Sequence, residues 1–395
     1  MKSVNDEGIK DINKFLNSQE ITGEFPERAI EFILKKIDQN LDTFTYQFPA
    51  PASINNIYPP MENIDWTSSF WTGMLWLAYE VTGDERYKNT AEVQLNSYKK
   101  RITEKICTDT HDLGFLYSLS CVAAYKLTGN EEAKEIALDA AELLMERYFD
   151  KAKIIQAWGD LGDPENRGRM IIDCCMNLPL LYWAAEITGN KKYFKAAKNH
   201  VNQAAEYIIR EDASSFHTFY MDVETGEPKF GKTAQGYSDN SCWARGQAWG
   251  IYGFALSYKY INDIKLIELD EKVANYFLNR LPQDYICCWD LIFTGGAQER
   301  DSSAAAIAAC GLLELSKHLP VGDIMKKIYE NAAVKFVKSL SEGYTSITDP
   351  KSNGILLHAV YSKPDGKGVD ECNIWGDYFY FEALVRLMKE WKTYW

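Results

Sequence analysis

Four stretches of the sequence set a carboxylate, a cation or an indole at the start of a strongly apolar helical pattern: HDLGFLYSLSCVAAY, MIIDCCMNLPLLYWAAE, SDNSCWARGQAWGIYG and NIWGDYFYFEALVRL. Their polar and aromatic members are Asp112, Asp173, Trp243, Arg245 and Asp377. Any one of the polar groups could simply cap a helix or complement its dipole. Together they describe another chemistry. If the starts of several helices converge on one mouth, acids, a cation and aromatic rings share a pocket, which is the composition of a sugar site. Asp173 is followed by Cys174, Cys175 and Met176. Apolar surroundings of that kind raise the pKa of a carboxyl by desolvation.

The elements that must position these residues follow from an internal repeat. Its copies read LAYEVTGDERY at 77–87, AAYKLTGNEEA at 123–133 and WAAEITGNKKY at 183–193, with worn versions LSYKYINDIKL at 256–266 and LLELSKHLPVGD at 312–323. The clear copies have an apolar helix end, then Gly or Asn where a C-cap needs a left-handed residue, then the polar start of the next helix. The helix that follows is amphipathic, as in EEAKEIALDAAELLMERY at 131–148. Counting an opening pair before residue 50 and a closing helix from Asp377 to Trp391, about six hairpins fit. Inner members such as WTSSFWTGMLWLAYE and DNSCWARGQAWGIYGFALSY carry aromatic and small residues along nearly their whole length. A closed ring is therefore expected, since an open solenoid would need polar capping repeats. Uneven spacing between copies marks insertions on the binding face, and one domain over residues 1–395 is expected.

Composition narrows the function further. Hydrophobic residues at 46% and charged residues at 25% are the balance of a globular chain with a sizeable core. Aromatics at 13%, with 11 Trp and 24 Tyr, exceed what core filling needs, so part of them is expected to line a pocket. The net charge of -13 argues against nucleic acid or an anionic membrane surface as partner. An anionic small substrate would need a local cationic pocket. Nine cysteines with no CxxC and no zinc spacing read as free thiols in a reducing cytosol. The polar start MKSVNDEGIKDINKFL has no secretory h-region, and no apolar run is long enough for a membrane span, so a cytoplasmic location is expected.

The strings HDLGFLYSLS at 111–120, IIDCCMNLPLLYWAAEITGN at 171–190, QGYSDNSCWARGQAWGIYGF at 235–254 and WGDYFYFEAL at 375–384 resemble the motifs of the unsaturated glucuronyl hydrolases, glycoside hydrolase family 88. They span most of the chain in family order. The resemblance implies an all-α fold, an (α/α)6 barrel of six helical hairpins, with no metal and no other cofactor. It implies removal of the 4,5-unsaturated uronic acid from glycosaminoglycan disaccharides, by hydration of the double bond rather than attack at C1. Carried over by position, Asp173 is the general acid and base, and Asp112 is the second aspartate that bonds sugar hydroxyls and supports it. His217 and Gln235 match polar substrate contacts, while Trp243 and Arg245 match a ring platform and a cation for a carboxylate or sulfate. Trp66 or Trp71 is another aromatic wall. Ser362, Lys363 and Lys367, in YSKPDGKG, lie where relatives bind the next sugar and would suit a sulfate. A Gly/Pro loop with solvated lysines is the plainer reading there.

WGDLGDPENRGRM at 158–170 precedes Asp173 and is expected at the rim. His358 is expected in the core or on that rim. The partner is an unsaturated glycosaminoglycan disaccharide; assembly is left open, a homodimer included. Within enzymes the alternative is an unsaturated rhamnogalacturonyl hydrolase, from which His217, Gln235 and the WARGQAWG string distinguish this chain. Outside them it is a helical repeat that binds a protein on a concave face, which predicts polar inner helices and an exposed apolar patch. A lyase or epimerase would want a His or Tyr base beside a ring carbon, a role for which His217 is the candidate.

Overall fold

The computed structural model describes residues 2–17 and 25–395. Six hairpins close into an (α/α)6 barrel. The inner helices are Ser68–Thr82, the run Leu113–Thr128 with a π turn at Ser118–Val122, the run Ile172–Thr188, Ala244–Ile261, Ser302–His318 and Ile374–Met388. Each packs on the next, and the last packs on the first, so the ring has no open end. Burial follows composition: every residue from Ala244 to Ser257 and from Ser302 to Ser316 is buried. The outer helix Glu131–Glu146 instead buries one stripe, Ala133, Ile136, Ala137, Ala140, Ala141 and Leu144. One cluster of buried apolar side chains runs through the molecule from Val4 to Trp395.

The repeat turns behave as their sequence demands. Gly83, Gly129 and Gly189 end three inner helices with φ of 71°, 71° and 70°, a left-handed backbone that side chains resist. The polar residue after each glycine, Asp84, Asn130 and Asn190, caps the outer helix by accepting a backbone N–H bond. These tight turns occupy one end of the barrel. Longer connections from each outer helix to the next inner helix occupy the other end. They carry small antiparallel sheets, among them the order Arg169–Ile171, Thr218–Met221, Pro228–Lys232, and the hairpin Ala359–Ser362 with Lys367–Glu371. All inner helices therefore start at the elaborated end.

The opening of the chain differs from the expected hairpin. Its described part holds a single turn at Asn13–Leu16 and the helix Phe25–Asn40, while residues 18–24 of the expected pair lie outside the described residues. Phe25–Asn40 packs on Ile374–Met388, so the sixth hairpin is assembled from the two ends of the chain. The closing helix also starts before Asp377 and stops at Met388, short of Trp391.

Inner helices approach closely where glycine permits it. A methyl group on Gly253 would overlap Cβ of Cys175 on the neighbouring inner helix. Gly253→Ala is expected to cost about 1–3 kcal/mol of stability or more, the range for overpacking a core. Thermal unfolding against wild type measures it, and an unchanged melting temperature would contradict this packing.

Candidate active site

Asp112 and Asp173 sit at the starts of adjacent inner helices. Asp112 holds the N-cap position of Leu113–Tyr117, yet its carboxylate makes no capping bond to that helix. It accepts from Thr110 Oγ1 at 2.8 Å and from Asn177 Nδ2 at 3.3 Å, and His111 Nε2 lies 3.3 Å from Oδ1. Asn177 Oδ1 in turn accepts the Phe115 N–H at 2.7 Å, so one amide ties the two helix starts together. Burial pushes the Asp112 carboxyl up to about 6, against the pull of the Thr110 and Asn177 bonds.

Asp173 lies in the 3-10 turn Ile172–Met176, flanked by buried Ile172, Cys174, Cys175 and Met176. Its side chain is partly exposed, but Oδ1 is buried with no hydrogen-bond partner among the described residues. Burial and the neighbouring Asp112 charge push it up to about 7, with Arg245 opposing. Of the two acids, Asp173 is the one with fewer bonds to its charged form. It is therefore the one that keeps a proton.

The cation is anchored on all sides. Arg245 is fully buried and pairs with Asp301 at 3.2 Å. Its Nη groups also donate to the Val360 carbonyl, to the Tyr361 carbonyl at 2.7 Å and to Gln235 Oε1 at 2.7 Å. Its plane lies near the Trp243 and Trp375 rings, 4.4 and 4.9 Å from their centroids. Among the described residues only its Nε finds no partner. Because Arg245 holds Gln235 Oε1, the Gln235 amide NH2 remains free to donate elsewhere. His217 Nδ1 accepts the N–H groups of Ala234 and Gln235 at 3.1 and 3.2 Å, and burial holds this imidazole neutral, down at about 3. The proton then sits on Nε2, which is buried with no partner among the described residues. With Nδ1 already accepting and the proton on Nε2, His217 is a hydrogen-bond donor here and has no free lone pair to serve as the base of a lyase.

The two tryptophans left open by sequence separate cleanly. Trp71 is buried, donates to the Phe44 carbonyl at 3.0 Å and packs edge-on against Phe44, which makes it core and not a pocket wall. Trp66 is partly exposed, donates to Tyr361 Oη at 3.0 Å and stacks on Trp375 with centroids 5.1 Å apart. Trp243 is only 3% exposed, with His217 at 4.3 Å and Arg245 beside it, so it backs these two groups more than it faces a ligand. Asp377 does not join the acids. It accepts from Tyr58 Oη at 3.0 Å and from the backbone N–H groups of Ile355 and Leu356 at 3.1 and 2.7 Å, which fastens the loop before the closing helix.

The loop after Tyr361 is partly committed. Ser362 donates to Asp365 at 2.6 Å and Lys363 pairs with Glu299. Lys367 is exposed, makes no ion pair among the described residues and lies 4.1 Å from the Tyr361 ring centroid. His358 is neither core nor pocket: it is 46% exposed in its side chain and bonds Asp370 at 2.6 Å. Trp158, from the expected rim segment, does reach the site, with its ring 6.2 Å from His217. Sequence reasoning missed Asn177, Asp301, Tyr361 and Trp375. Asn177 could have been found, since it lies one helical turn from Asp173. No local pattern points to the other three. Among the described residues no group of three or more His, Cys, Asp or Glu could hold a metal ion.

Comparison with known proteins shows the family of the chain. The model of Glycosyl Hydrolase Family 88 matches residues 36–388. The unsaturated chondroitin disaccharide hydrolase of Streptococcus pneumoniae is 50% identical over 396 residues, covering 100% of both chains. The crystal structure of an unsaturated glucuronyl hydrolase from Streptococcus agalactiae superposes with a TM-score of 0.97 at 50% identity, over 100% of both chains. A mutant of that enzyme complexed with dGlcA-GalNAc6S superposes with a TM-score of 0.90 at 47% identity, again over 100% of both chains.

The electrostatics of the acid pair can be tested without a substrate. Removing the Asp112 charge in Asp112→Asn takes away one of the two causes that raise Asp173. The Asp173 carboxyl is expected to titrate lower than its wild-type value of about 7. Carbon-13 NMR of labelled aspartate reads both proteins, and an unmoved titration would contradict the coupling.

Proposed function

Because the chain belongs to Glycosyl Hydrolase Family 88, we propose that it removes the 4,5-unsaturated uronic acid from glycosaminoglycan disaccharides by hydrating the C4=C5 double bond. Full-length identity of 50% to an unsaturated chondroitin disaccharide hydrolase carries this reading. The chemistry follows from the substrate. C5 carries the ring oxygen, so the double bond is an enol ether and C4 is its nucleophilic carbon. Asp173 gives its proton to C4, and the positive charge that develops at C5 is shared with the ring oxygen. Water adds to C5 and returns a proton to the Asp173 carboxylate, which restores the acid. The hemiketal at C5 then opens to a ketone, and C1 releases the neighbouring sugar as an alcohol.

The remaining roles are assigned by what each side chain has left to offer. Asp112, the more acidic of the pair, accepts from sugar hydroxyls and holds Asp173 in its protonated form. His217 Nε2–H and the Gln235 amide donate to the uronate carboxylate or to the attacking water. Arg245 acts mainly as a buried positive charge that keeps Asp173 from rising further. Trp66 offers its ring to the apolar face of the sugar. The Streptococcus agalactiae complex with dGlcA-GalNAc6S supports a sulfated amino sugar as the neighbour, with exposed Lys367 as the partner of its sulfate. The nine unpaired thiols support a reducing compartment.

Absorbance of the conjugated uronate should fall when unsaturated chondroitin or hyaluronan disaccharides meet the wild type. Asp173→Asn should slow this by about a hundredfold or more. Equal turnover of the two would remove Asp173 from the mechanism. Activity should drop as pH rises through about 7, where Asp173 loses its proton, and again as pH falls through about 6, where Asp112 gains one. A profile flat across that window contradicts the assignment. Lys367→Ala should raise KM roughly twofold to fivefold for the sulfated disaccharide alone, the worth of an exposed ion pair. An equal rise with the unsulfated disaccharide would place Lys367 elsewhere.

A further inference from the structure

The inner helices carry a pattern at the end away from the acids. Glu80, Lys126, Glu186, Lys259, Glu314 and Arg386 occupy matching places in AYEVTG, AYKLTG, AAEITG, SYKYIN, LLELSK and LVRLMK. Each comes from a different inner helix, and the helices follow one another around the ring, so acid and base alternate around the barrel. Five of the six engage the segment Trp391–Trp395 or its immediate support. Glu80 accepts from the Trp391 indole at 2.9 Å and from Tyr394 Oη at 2.5 Å. Lys126 donates to the carbonyls of Thr393 and Tyr394 at 3.1 and 2.8 Å, and Lys259 donates to Thr393 Oγ1 at 3.3 Å. Arg386 lies 5.2 Å from the Trp391 ring centroid and is paired with Glu314 at 2.7 Å.

Held in this way, the segment turns the Trp395 side chain into the barrel axis. Trp395 is fully buried and donates to Glu382 at 3.0 Å. Its ring stacks on Phe379, with centroids 6.0 Å apart and planes 10° apart, and meets the edge of Phe115 at 5.9 Å. Phe115 packs in turn on Trp66 at 5.6 Å and gives its N–H to Asn177, the residue that bonds Asp112. We propose that Trp395, locked by the alternating ring of charges, is a positioning residue that supports Phe115 from below and through it holds Asn177 and Asp112 in register with Asp173. A smaller side chain lets the Phe115 ring drop toward the axis, and the Asn177 bridge loosens with it.

This inference rests on the hydrolase reading, so its test includes a readout that does not need turnover. In the full-length chain, Trp395→Ala should lower kcat about tenfold or more while KM stays within about threefold, the signature of lost transition-state alignment. Trp395→Phe keeps a ring under Phe115 and should restore kcat to within about threefold of wild type. Asp112 is faced by His111, Asn177, Thr110, Asp173 and the charges of Arg101 and Arg147. Its carboxyl titration by carbon-13 NMR should move upward in Trp395→Ala, because the Asn177 bond that favours the charged form weakens. Should Trp395→Ala fail to fold, Trp395→Leu fills part of the axis and should show the same titration shift with about a threefold loss of kcat. A lower melting temperature with kcat and the Asp112 titration unchanged overturns the proposal and leaves Trp395 as filling. A titration shift in a chain inactive on every disaccharide would uphold the positioning while rejecting the hydrolase reading.

Discussion

Two carboxyl groups placed side by side in a largely apolar enclosure cannot both be ionised cheaply, and the rest of the molecule is organised around that constraint. Desolvation acts on both acids, but the protein gives them unequal help. Asp112 receives hydrogen bonds from Thr110 and Asn177, while the charge of Asp173 is helped by Arg245 and a backbone N–H. The inequality fixes which acid keeps its proton. Arg245 can stay charged in the same enclosure because Asp301, two carbonyls and Gln235 satisfy it, and two indole faces replace its hydration.

Such a constraint needs rigid support, and the barrel divides labour between its ends. The tight glycine turns lie at one end, where an alternating set of charges clamps residues 391–395. The long connections lie at the other, where helix starts bring Asp112, Asp173, Trp243 and Arg245 together. Asn177 joins two neighbouring helix starts, and Arg245 joins the helix Ala244–Ile261 to the strand Ala359–Ser362 and to Asp301. Asp112 is thus tied to the neighbouring helix start through Asn177 as well as to its own approach through Thr110.

Much of this was legible in the sequence because helical repeats write their period and their turns locally. The TGD and TGN turns, the apolar inner helices and the closure of the ring all follow from capping and patterning. Asp112 and Asp173 were legible for the same reason, as acids at apolar helix starts. What failed to show was tertiary. Asp377 has the same local signature as Asp173, yet it is turned toward the backbone of Ile355 and Leu356, because the loop before its helix has N–H groups that need an acceptor. Trp66 lies just before the helix Ser68–Thr82 and Trp71 in its first turn, and a repeat pattern does not say which of two such neighbours packs into the core. The split sixth hairpin escaped notice because its halves lie at opposite ends of the chain.

In the proposed reaction Asp173 delivers a proton to C4 of the unsaturated uronate while water adds at C5. The most direct measurement is proton NMR of the first-formed product from turnover in heavy water. One deuterium is expected at C4, on a single face of that carbon, since a fixed carboxyl delivers it. Product with no deuterium at C4 would contradict it and return the reaction to ordinary hydrolysis at C1, while deuterium on both faces would mean that solvent, not Asp173, supplies the proton.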